Sequence, residues 1–123
     1  MNDATGRFFQ DLGQRGYERL VAKFTGRIRF DVVDGRGTDC WLVTINKGDI
    51  AVSRGGRDAD ADCTIRADRA LFDRLANGEE NAMAAVLRGA LVCTGDVELL
   101  LAIQRVFPGP ARASAPRVGS GSP

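Results

Sequence analysis

Histidine is absent from this 123-residue chain, and its absence restricts the catalysis that the side chains can perform. The commonest general base, the Ser-His-Asp triad and the usual zinc ligand sets are all excluded. Cys40, Cys63 and Cys93 remain as candidate nucleophiles, but each falls within a predicted strand, and none stands at a helix start that would activate a thiolate. We interpret them as buried structural thiols. Without a CxxC spacing, they also fit a reducing compartment better than a disulfide framework.

The acidic stretch DADAD resembles the opening of a calcium-binding loop, with carboxylates at Asp58, Asp60 and Asp62. That loop requires glycine at its sixth position and a bidentate glutamate at its twelfth. Here the sixth position is Cys63 and the twelfth is Arg69. We therefore expect a solvated loop that enters a strand, and no metal site.

The remaining polar motifs are equally poor candidates for chemistry. Glu79 and Glu80 precede an apolar helical pattern, where carboxylates favour the helix dipole, and their neighbourhood NGEEN is polar. An acid-base role would need a buried setting. The segments DGRG and SRGGR match neither phosphate-binding glycine pattern and are interpreted as turns. No cofactor is expected.

Composition excludes two further classes of partner. Lys and Arg number 17 and Asp and Glu 16, a net charge of +1, and the basic residues are scattered, so we expect no nucleic-acid surface. The longest apolar runs, AMAAVL and LLLAI, fall short of the roughly 18 residues that span a bilayer. The N-terminal residues lack a secretory signal pattern. We expect a cytoplasmic protein without a transmembrane segment.

The periodicity of apolar residues predicts the elements that carry these motifs. A three- and four-residue spacing from Arg7 to Phe24 predicts a helix, with a bend or break at Gly13 and Gly16. Alternation then predicts three strands in RIRFDVV, CWLVTIN and IAVS, joined by turns at DGRG and NKGD. A fourth strand is expected in CTIRA, two short helices in ADRALFDRLANG and EENAMAAVLRG, a fifth strand in ALVCT, and a final helix in VELLLAIQRVF.

This order predicts an α+β fold of two layers, in which a twisted, five-stranded, mainly antiparallel sheet is covered by helices on one face. We assign residues 1–109 to one domain. Residues 110–123, rich in Pro, Ser, Ala and Gly, are expected to form a disordered tail.

The helices are more apolar than docking on a sheet requires. The last helix carries a stripe that would suffice for docking, formed by Leu99, Leu100, Ile103, Val106 and Phe107. Leu101 falls on the opposite side. A domain of this size buries only about two-thirds of its chain surface. The apolar surplus therefore indicates either a cavity between the layers or a surface for a partner.

The combined order of these segments resembles the sterol carrier protein 2 (SCP2-like) lipid-binding domain. The resemblance is carried by DVVDGRGTDCWLVTINKGDIAV, the strand entry ADCTIRAD, LANG at a helix end, and RGALVCTGD before an apolar helix that ends in FPG. It runs from about Gly26 to Gly109. No one of these motifs is unique, but their order and spacing are specific.

The resemblance implies a carrier of fatty acids, acyl-CoA, isoprenoids, sterols or similar lipids, held in an apolar tunnel between sheet and helices. Carried onto this sequence, the tunnel is lined by Phe72, Leu75, Met83, Val86, Leu99, Leu100, Ile103 and Phe107. The chain ends in GSGSP instead of a peroxisomal address, and its Arg- and Ala-rich composition is typical of a high-GC bacterium.

Two alternatives of other classes stay open. The domain could be a protein-interaction or dimerisation module with a filled core, in which Leu101 or a sheet edge holds a partner or a second copy. It could also be a small isomerase or hydrolase, although the available carboxylates stand at turns and helix ends instead of in buried sites.

Overall fold

The computed structural model describes residues 4–55 and 60–107. Within them the chain forms four α-helices, one 3-10 turn at Arg19–Val21 and five strands. In chain order the remaining elements are α1 (Ala4–Arg15), β1 (Thr25–Asp34), β2 (Gly37–Asn46), β3 (Asp49–Arg54), β4 (Cys63–Asp68), α2 (Arg69–Ala76), α3 (Ala82–Leu87), β5 (Val92–Gly95) and α4 (Val97–Gln104).

The five strands form one mixed sheet in the order β3-β2-β1-β4-β5. The pairings β1 with β2, β2 with β3 and β4 with β5 are antiparallel, while β1 and β4 are parallel. The predicted α+β class and the mainly antiparallel sheet are thus confirmed. The parallel pair arises because the chain leaves β3 at one edge and returns to the centre of the sheet.

The sheet has one apolar and one polar face, because strand side chains alternate. Ile28, Phe30 and Val32 of β1 are fully buried, as are Val43 and Ile45 of β2. The opposite face carries the charged and hydroxylated side chains of Arg27, Arg29, Asp31, Thr44, Thr64 and Arg66. The apolar face is the one that the helices cover.

The predicted turns form where the glycine signals place them. In the NKGD turn between β2 and β3, Lys47 and Gly48 both have positive φ angles, of 50° and 94°. Two successive positive φ angles twist a tight hairpin in the sense of its strands. The DGRG turn joins β1 to β2, and Asp34 Oδ1 accepts a hydrogen bond from the Arg36 backbone N–H at 2.9 Å.

The first helix corrects the prediction of a bend at Gly13. Helix α1 continues through this glycine to Arg15 and ends before Gly16, which has a φ angle of 70°. A Cβ atom at Gly13 would lie 3.3 Å from the Val52 Cβ atom. The glycine therefore lets α1 pack closely against β3, and the break comes one turn later, where the left-handed conformation favours glycine.

The later helices begin at side-chain caps. Asp68 caps α2, Asn81 caps α3 and Asp96 caps α4, each by accepting a backbone N–H of the first turn. Helix α3 thus starts later than predicted from its sequence, because Asn81 is its cap. Glu80 instead pairs with Arg74 and Arg88 and holds together the ends of α2 and α3.

The helices lie side by side across the apolar face. Helix α1 packs on β3 and α2, α2 on β1 and β4, and α4 on β4 and β5. None of the helices in residues 4–55 and 60–107 is long and apolar enough to cross a membrane. The predicted tail, residues 110–123, lies outside the described residues, and the domain assignment to 1–109 stays a prediction.

Candidate lipid-binding site

The eight residues predicted to line a tunnel all lie on the helix side of the sheet. Phe72, Leu75, Leu99, Leu100, Ile103 and Phe107 are buried in one continuous apolar core, and Met83 and Val86 are partly buried against it. Their side chains pack against neighbours in this structure. Leu101, predicted on the opposite side of α4, is 38% exposed.

A separate groove of about 550 Å³ opens beside this core, between α1 and the β2-β3 edge of the sheet. None of the eight predicted residues lines it. Its lining residues are Gly6, Arg7, Phe9, Gln10, Gly13, Gln14, Trp41, Val52, Arg54 and Arg69. This volume falls in the range of about 300 to 1,000 Å³ that is common for small-molecule sites.

Aromatic and aliphatic side chains form the floor of the groove. Phe9 of α1 stacks on Trp41 of β2, with ring centres 4.8 Å apart and an interplanar angle of 17°. Val52 of β3 lies beside them, and it pairs across the sheet with Val43. At Gly13, α1 lies close to Val52, and this contact sets the distance between α1 and β3 beside the groove.

Guanidinium groups line the groove. Trp41 and Arg54 are directly opposite each other in the β2-β3 register, and the Arg54 guanidinium carbon lies 5.0 Å from the centre of the Trp41 rings. Arg54 also pairs with Asp39 at 3.3 Å, and Arg69 bonds to Asp39 and Asp34. The pKa of Asp34 is lowered by the Arg36 backbone N–H and then by Arg69. These pairs orient Arg54 and Arg69 at the end of the groove.

Two groups at the groove have unused capacity to bind a ligand. Arg7, on the exposed side of α1, has no ion-pair partner among residues 4–55 and 60–107. The Trp41 Nε1 atom is buried and has no hydrogen-bond partner within the same residues. A buried N–H without an acceptor costs free energy comparable to a lost hydrogen bond. An acceptor supplied by a ligand would remove that cost.

A chain of ring contacts connects the groove with the predicted tunnel residues. Phe9 meets Phe30 edge to face at 5.0 Å, and Phe30 meets Phe72 at 5.9 Å. On the other side, Phe9 contacts Phe8 at 5.4 Å, and Phe8 stacks on Phe107 at 4.5 Å. Rings from α1, the sheet, α2 and the residues that follow α4 thus form one continuous apolar path.

The acidic residues and cysteines that the sequence analysis considered as metal ligands or nucleophiles have structural roles where the structure describes them. Asp62 accepts the Arg27 backbone N–H at 2.9 Å, and Asp58 lies outside the described residues. In the described part of the chain, His, Cys, Asp and Glu form no group of three or more that could hold a metal ion. Cys63 is buried, and its burial, followed by the nearby Cys93 thiol, raises its pKa.

The sequence prediction missed the groove, although one signal for it was present. In the strand IAVSR, the alternation that turns Ile50 and Val52 toward the helices turns Arg54 the same way. Likewise Asp39 shares the inner face with Trp41. Charged residues that continue an inward-facing apolar series indicate that the covered region ends there and that a polar rim begins.

A known protein family matches most of the described chain. The model of a family described as the SCP-2 sterol transfer family matches residues 9–108. Sterol carrier protein 2 of Homo sapiens is 33% identical over 98 residues, which make up 78% of this chain and 18% of the human protein. The chain therefore spans less than a fifth of the length of this curated relative.

Solved structures share the fold at low sequence identity. Palmitated SCP2L2 from Aedes aegypti, determined by solution NMR, superposes with a TM-score of 0.66 at 18% identity, and the match covers 86% of this chain and 94% of that one. The stereoselective inverting sec-alkylsulfatase Pisa1 from Pseudomonas sp. superposes with a TM-score of 0.65 at 17% identity over 81% of this chain and 16% of the sulfatase. The same fold thus occurs both as most of a small chain and as a part of a large enzyme.

Proposed function

The chain belongs to the SCP-2 sterol transfer family, and on this basis we propose that it is a lipid-binding carrier domain whose ligand has a long apolar chain and an acidic head group. The head group binds at the groove between α1 and β3. The apolar chain follows the aromatic path toward the core, and the domain carries out no catalysis of its own.

The observation that carries this proposal is the combination of side chains at the groove. Its floor of Phe9, Trp41 and Val52 suits methylene groups, while Arg7 and Arg54 suit an anion. A purely neutral ligand would leave Arg7 without a charged partner within the described part of the chain, and a small polar anion would not use the aromatic floor. A fatty acid presents both kinds of surface in one molecule.

Three side chains of the groove lining can donate hydrogen bonds to the acidic head group: Arg7, Arg54 and Trp41. A guanidinium group offers several N–H donors in a planar fork, which matches a carboxylate. Arg7 is free to turn toward the ligand because no ion pair holds it within the described part of the chain. The Trp41 Nε1–H lacks an acceptor among the same residues and can donate to a carboxylate oxygen.

The apolar chain requires displacement of side chains, since the predicted tunnel residues are packed in this structure. Phe8 and Met83 are only partly buried, so both can move without opening the centre of the core. Movement of Phe8 would separate it from Phe107 and open a path from α1 toward the residues packed under α4. Residues Phe72, Leu75, Leu99, Leu100 and Ile103 would then contact the ligand.

The hydrophobic effect supplies the affinity of such a site. Removing about twelve methylenes from water contributes roughly 10 kcal/mol at about 0.8 kcal/mol each. Loss of ligand freedom and reordering of side chains offset several kcal/mol of that gain. The roughly 6 to 8 kcal/mol that remains corresponds to dissociation constants of about 1 to 40 μM. The palmitated state of the Aedes aegypti protein supports a saturated fatty acid as the first probe.

Native mass spectrometry of the purified 123-residue chain tests this proposal. We expect a co-purifying lipid, or a one-to-one adduct after delipidation and incubation with palmitate. The neutral 1-hexadecanol, of the same chain length, should give a weaker adduct because it lacks the carboxylate. An apo mass that stays unchanged with palmitate would overturn the lipid-binding proposal, and equal binding of the acid and the alcohol would overturn the role of the arginines.

A further inference from the structure

Two cysteines that are distant in sequence lie next to each other in adjacent strands. The Sγ atoms of Cys63 and Cys93 are 3.3 Å apart. Cys63 begins β4 and is fully buried, whereas Cys93 lies within the short edge strand β5 and is partly exposed. A disulfide has an S–S distance of about 2.05 Å, so the two sulfurs would have to approach each other by about 1.3 Å to form the bond.

The strand register fixes this proximity. Cys63 is paired with Gly95 and Ile65 with Cys93, so the two thiols are diagonal neighbours on the inner face of the β4-β5 pair. Gly95 has a φ angle of 103°, and a Cβ atom there would lie 2.3 Å from the Asp62 carbonyl oxygen. The Asp96 backbone N–H donates to that same oxygen at 2.8 Å. A slip of β5 along β4 would break these contacts.

We propose that Cys63 and Cys93 are a redox-sensitive pair that a small-molecule disulfide, such as oxidised glutathione, converts to an intramolecular disulfide linking β4 to β5. The β4-β5 register alone brings these thiols together, so formation of the disulfide does not depend on lipid binding.

The exchange proceeds in two steps that balance. The Cys93 thiol, which is the more exposed, loses its proton and attacks oxidised glutathione, giving a mixed disulfide and one reduced glutathione. The Cys63 thiol then loses its proton and attacks the Cys93 sulfur, which releases the second glutathione. The two cysteines lose two protons and two electrons in total, and the glutathione disulfide accepts them. Burial of Cys63 raises its pKa, so we expect the second step to be the slower one.

Cys40 provides an internal control in the same chain. It lies on β2, paired with Asp31 of β1, and its thiol donates to Asp31 Oδ1 at 3.4 Å. Asp31 is on the face of the sheet opposite the one that carries Cys63, because alternate residues of β1 point to opposite sides. Cys40 should therefore not join the pair in the folded protein.

The test is peptide mapping of the folded chain after incubation with oxidised glutathione. Trypsin should release residues 58–66 and 89–105 as one disulfide-linked species, while residues 37–47, which contain Cys40, keep a free thiol. The intact mass should fall by about 2 Da, and reduction should restore it. The variant Cys40→Ser should form the same link, whereas Cys93→Ser should form no intramolecular link.

Two results would overturn the proposal. The first is a folded wild-type chain that keeps all three thiols titratable after prolonged exposure to excess oxidised glutathione. The second is a mixture of linked peptides that includes Cys40 to the same extent as in guanidinium-unfolded protein, since that outcome would mean that pairing does not reflect the native register. A single 63–93 link that forms faster in the folded than in the unfolded chain supports it.

Discussion

The Arg54 guanidinium lies over the indole rings of Trp41, with 5.0 Å between its central carbon and the ring centre. The two residues are directly paired across β2 and β3, so the contact is set by the register of the sheet. The cation thus lies at the boundary between an apolar floor and solvent. This boundary is where a fatty acid would place its carboxylate.

Arg54→Gln should weaken palmitate binding by about threefold to tenfold, because it removes one charged donor from a solvent-accessible site. Arg19→Gln is the matched control, since Arg19 is an exposed arginine outside the groove lining. Isothermal titration calorimetry at low ionic strength measures both variants. Equal loss of affinity in the two would indicate a general effect of net charge instead of a site at the groove.

Trp41→Phe should retain much of the stacking on Phe9 but remove the Nε1–H donor. The loss of one neutral hydrogen bond predicts a decrease in palmitate affinity of about twofold to tenfold. Binding of 1-hexadecanol, which is expected to depend on the apolar floor, should change less. Competition against a fluorescent fatty acid measures both ligands without using the tryptophan as a probe. Identical losses for the acid and the alcohol would contradict a head-group role for the indole N–H.

Gly95→Ala should destabilise the fold by about 2 to 4 kcal/mol, since the substitution adds a Cβ atom at a strained position. The φ angle there is 103°, and the new atom would meet the Asp62 backbone at 2.3 Å. Gly35→Ala is the control, because a Cβ atom at Gly35 would meet nothing within 4 Å and its φ angle is not in the left-handed region. Urea unfolding of the two variants provides the comparison, and similar midpoints would contradict the register argument.

The pH dependence of stability should include a contribution from Glu80. Its side-chain hydrogen bond with Arg88, with further help from Arg74, holds the pKa of Glu80 below its ordinary value of 4.5. A carboxyl whose pKa is lower in the folded state stabilises the fold above the unfolded pKa, and this contribution is lost as the pH falls through the folded pKa.

Glu80→Gln should therefore reduce the decrease in melting temperature between about pH 5 and pH 3. Thermal unfolding followed by circular dichroism at several pH values in this range measures the effect. Glu79→Gln is the matched control, since Glu79 is exposed and has no ion pair within residues 4–55 and 60–107. If both variants follow the wild-type profile, the cluster of Glu80, Arg74 and Arg88 does not contribute to acid sensitivity.

Leu101→Glu should fold and bind palmitate like the wild type, because the side chain of Leu101 is exposed on α4. Leu100→Glu should not fold, because Leu100 is only 1% exposed and a buried unpaired carboxylate is costly. Sedimentation of the wild type and the Leu101 variant tests the alternative role as an interaction module. A wild-type dimer that the variant loses, together with the absence of lipid binding in both, would favour assembly as the function of this exposed leucine.

The sequence was sufficient to predict the sheet because alternation and turn signals are local. Ile28, Phe30 and Val32 define a buried face without reference to any other segment. The apolar character of α4 likewise follows from its own residues. The continuation of α1 through Gly13 is not predictable from local sequence, because the close contact of Gly13 with Val52 depends on a strand far along the chain.

The candidate site was predicted only in part, since its geometry depends on long-range packing. The tunnel residues carried over from the family resemblance are packed in the core, and the groove depends on where α1 meets the end of β3. The proximity of Cys63 and Cys93 similarly depends on the pairing of β4 with β5. The inward-facing charged residues Arg54 and Asp39 were the local signals of the groove.

Tryptophan fluorescence during a palmitate titration of the delipidated 123-residue chain reports directly on ligand binding at the groove, because Trp41 is the only tryptophan in the sequence and lines the groove. Palmitate bound in the groove should produce a saturable change in emission at one palmitate per chain, with a midpoint at micromolar concentration, and a parallel rise in melting temperature. An emission spectrum and a melting temperature that both stay constant up to saturating palmitate would contradict binding of palmitate in the groove.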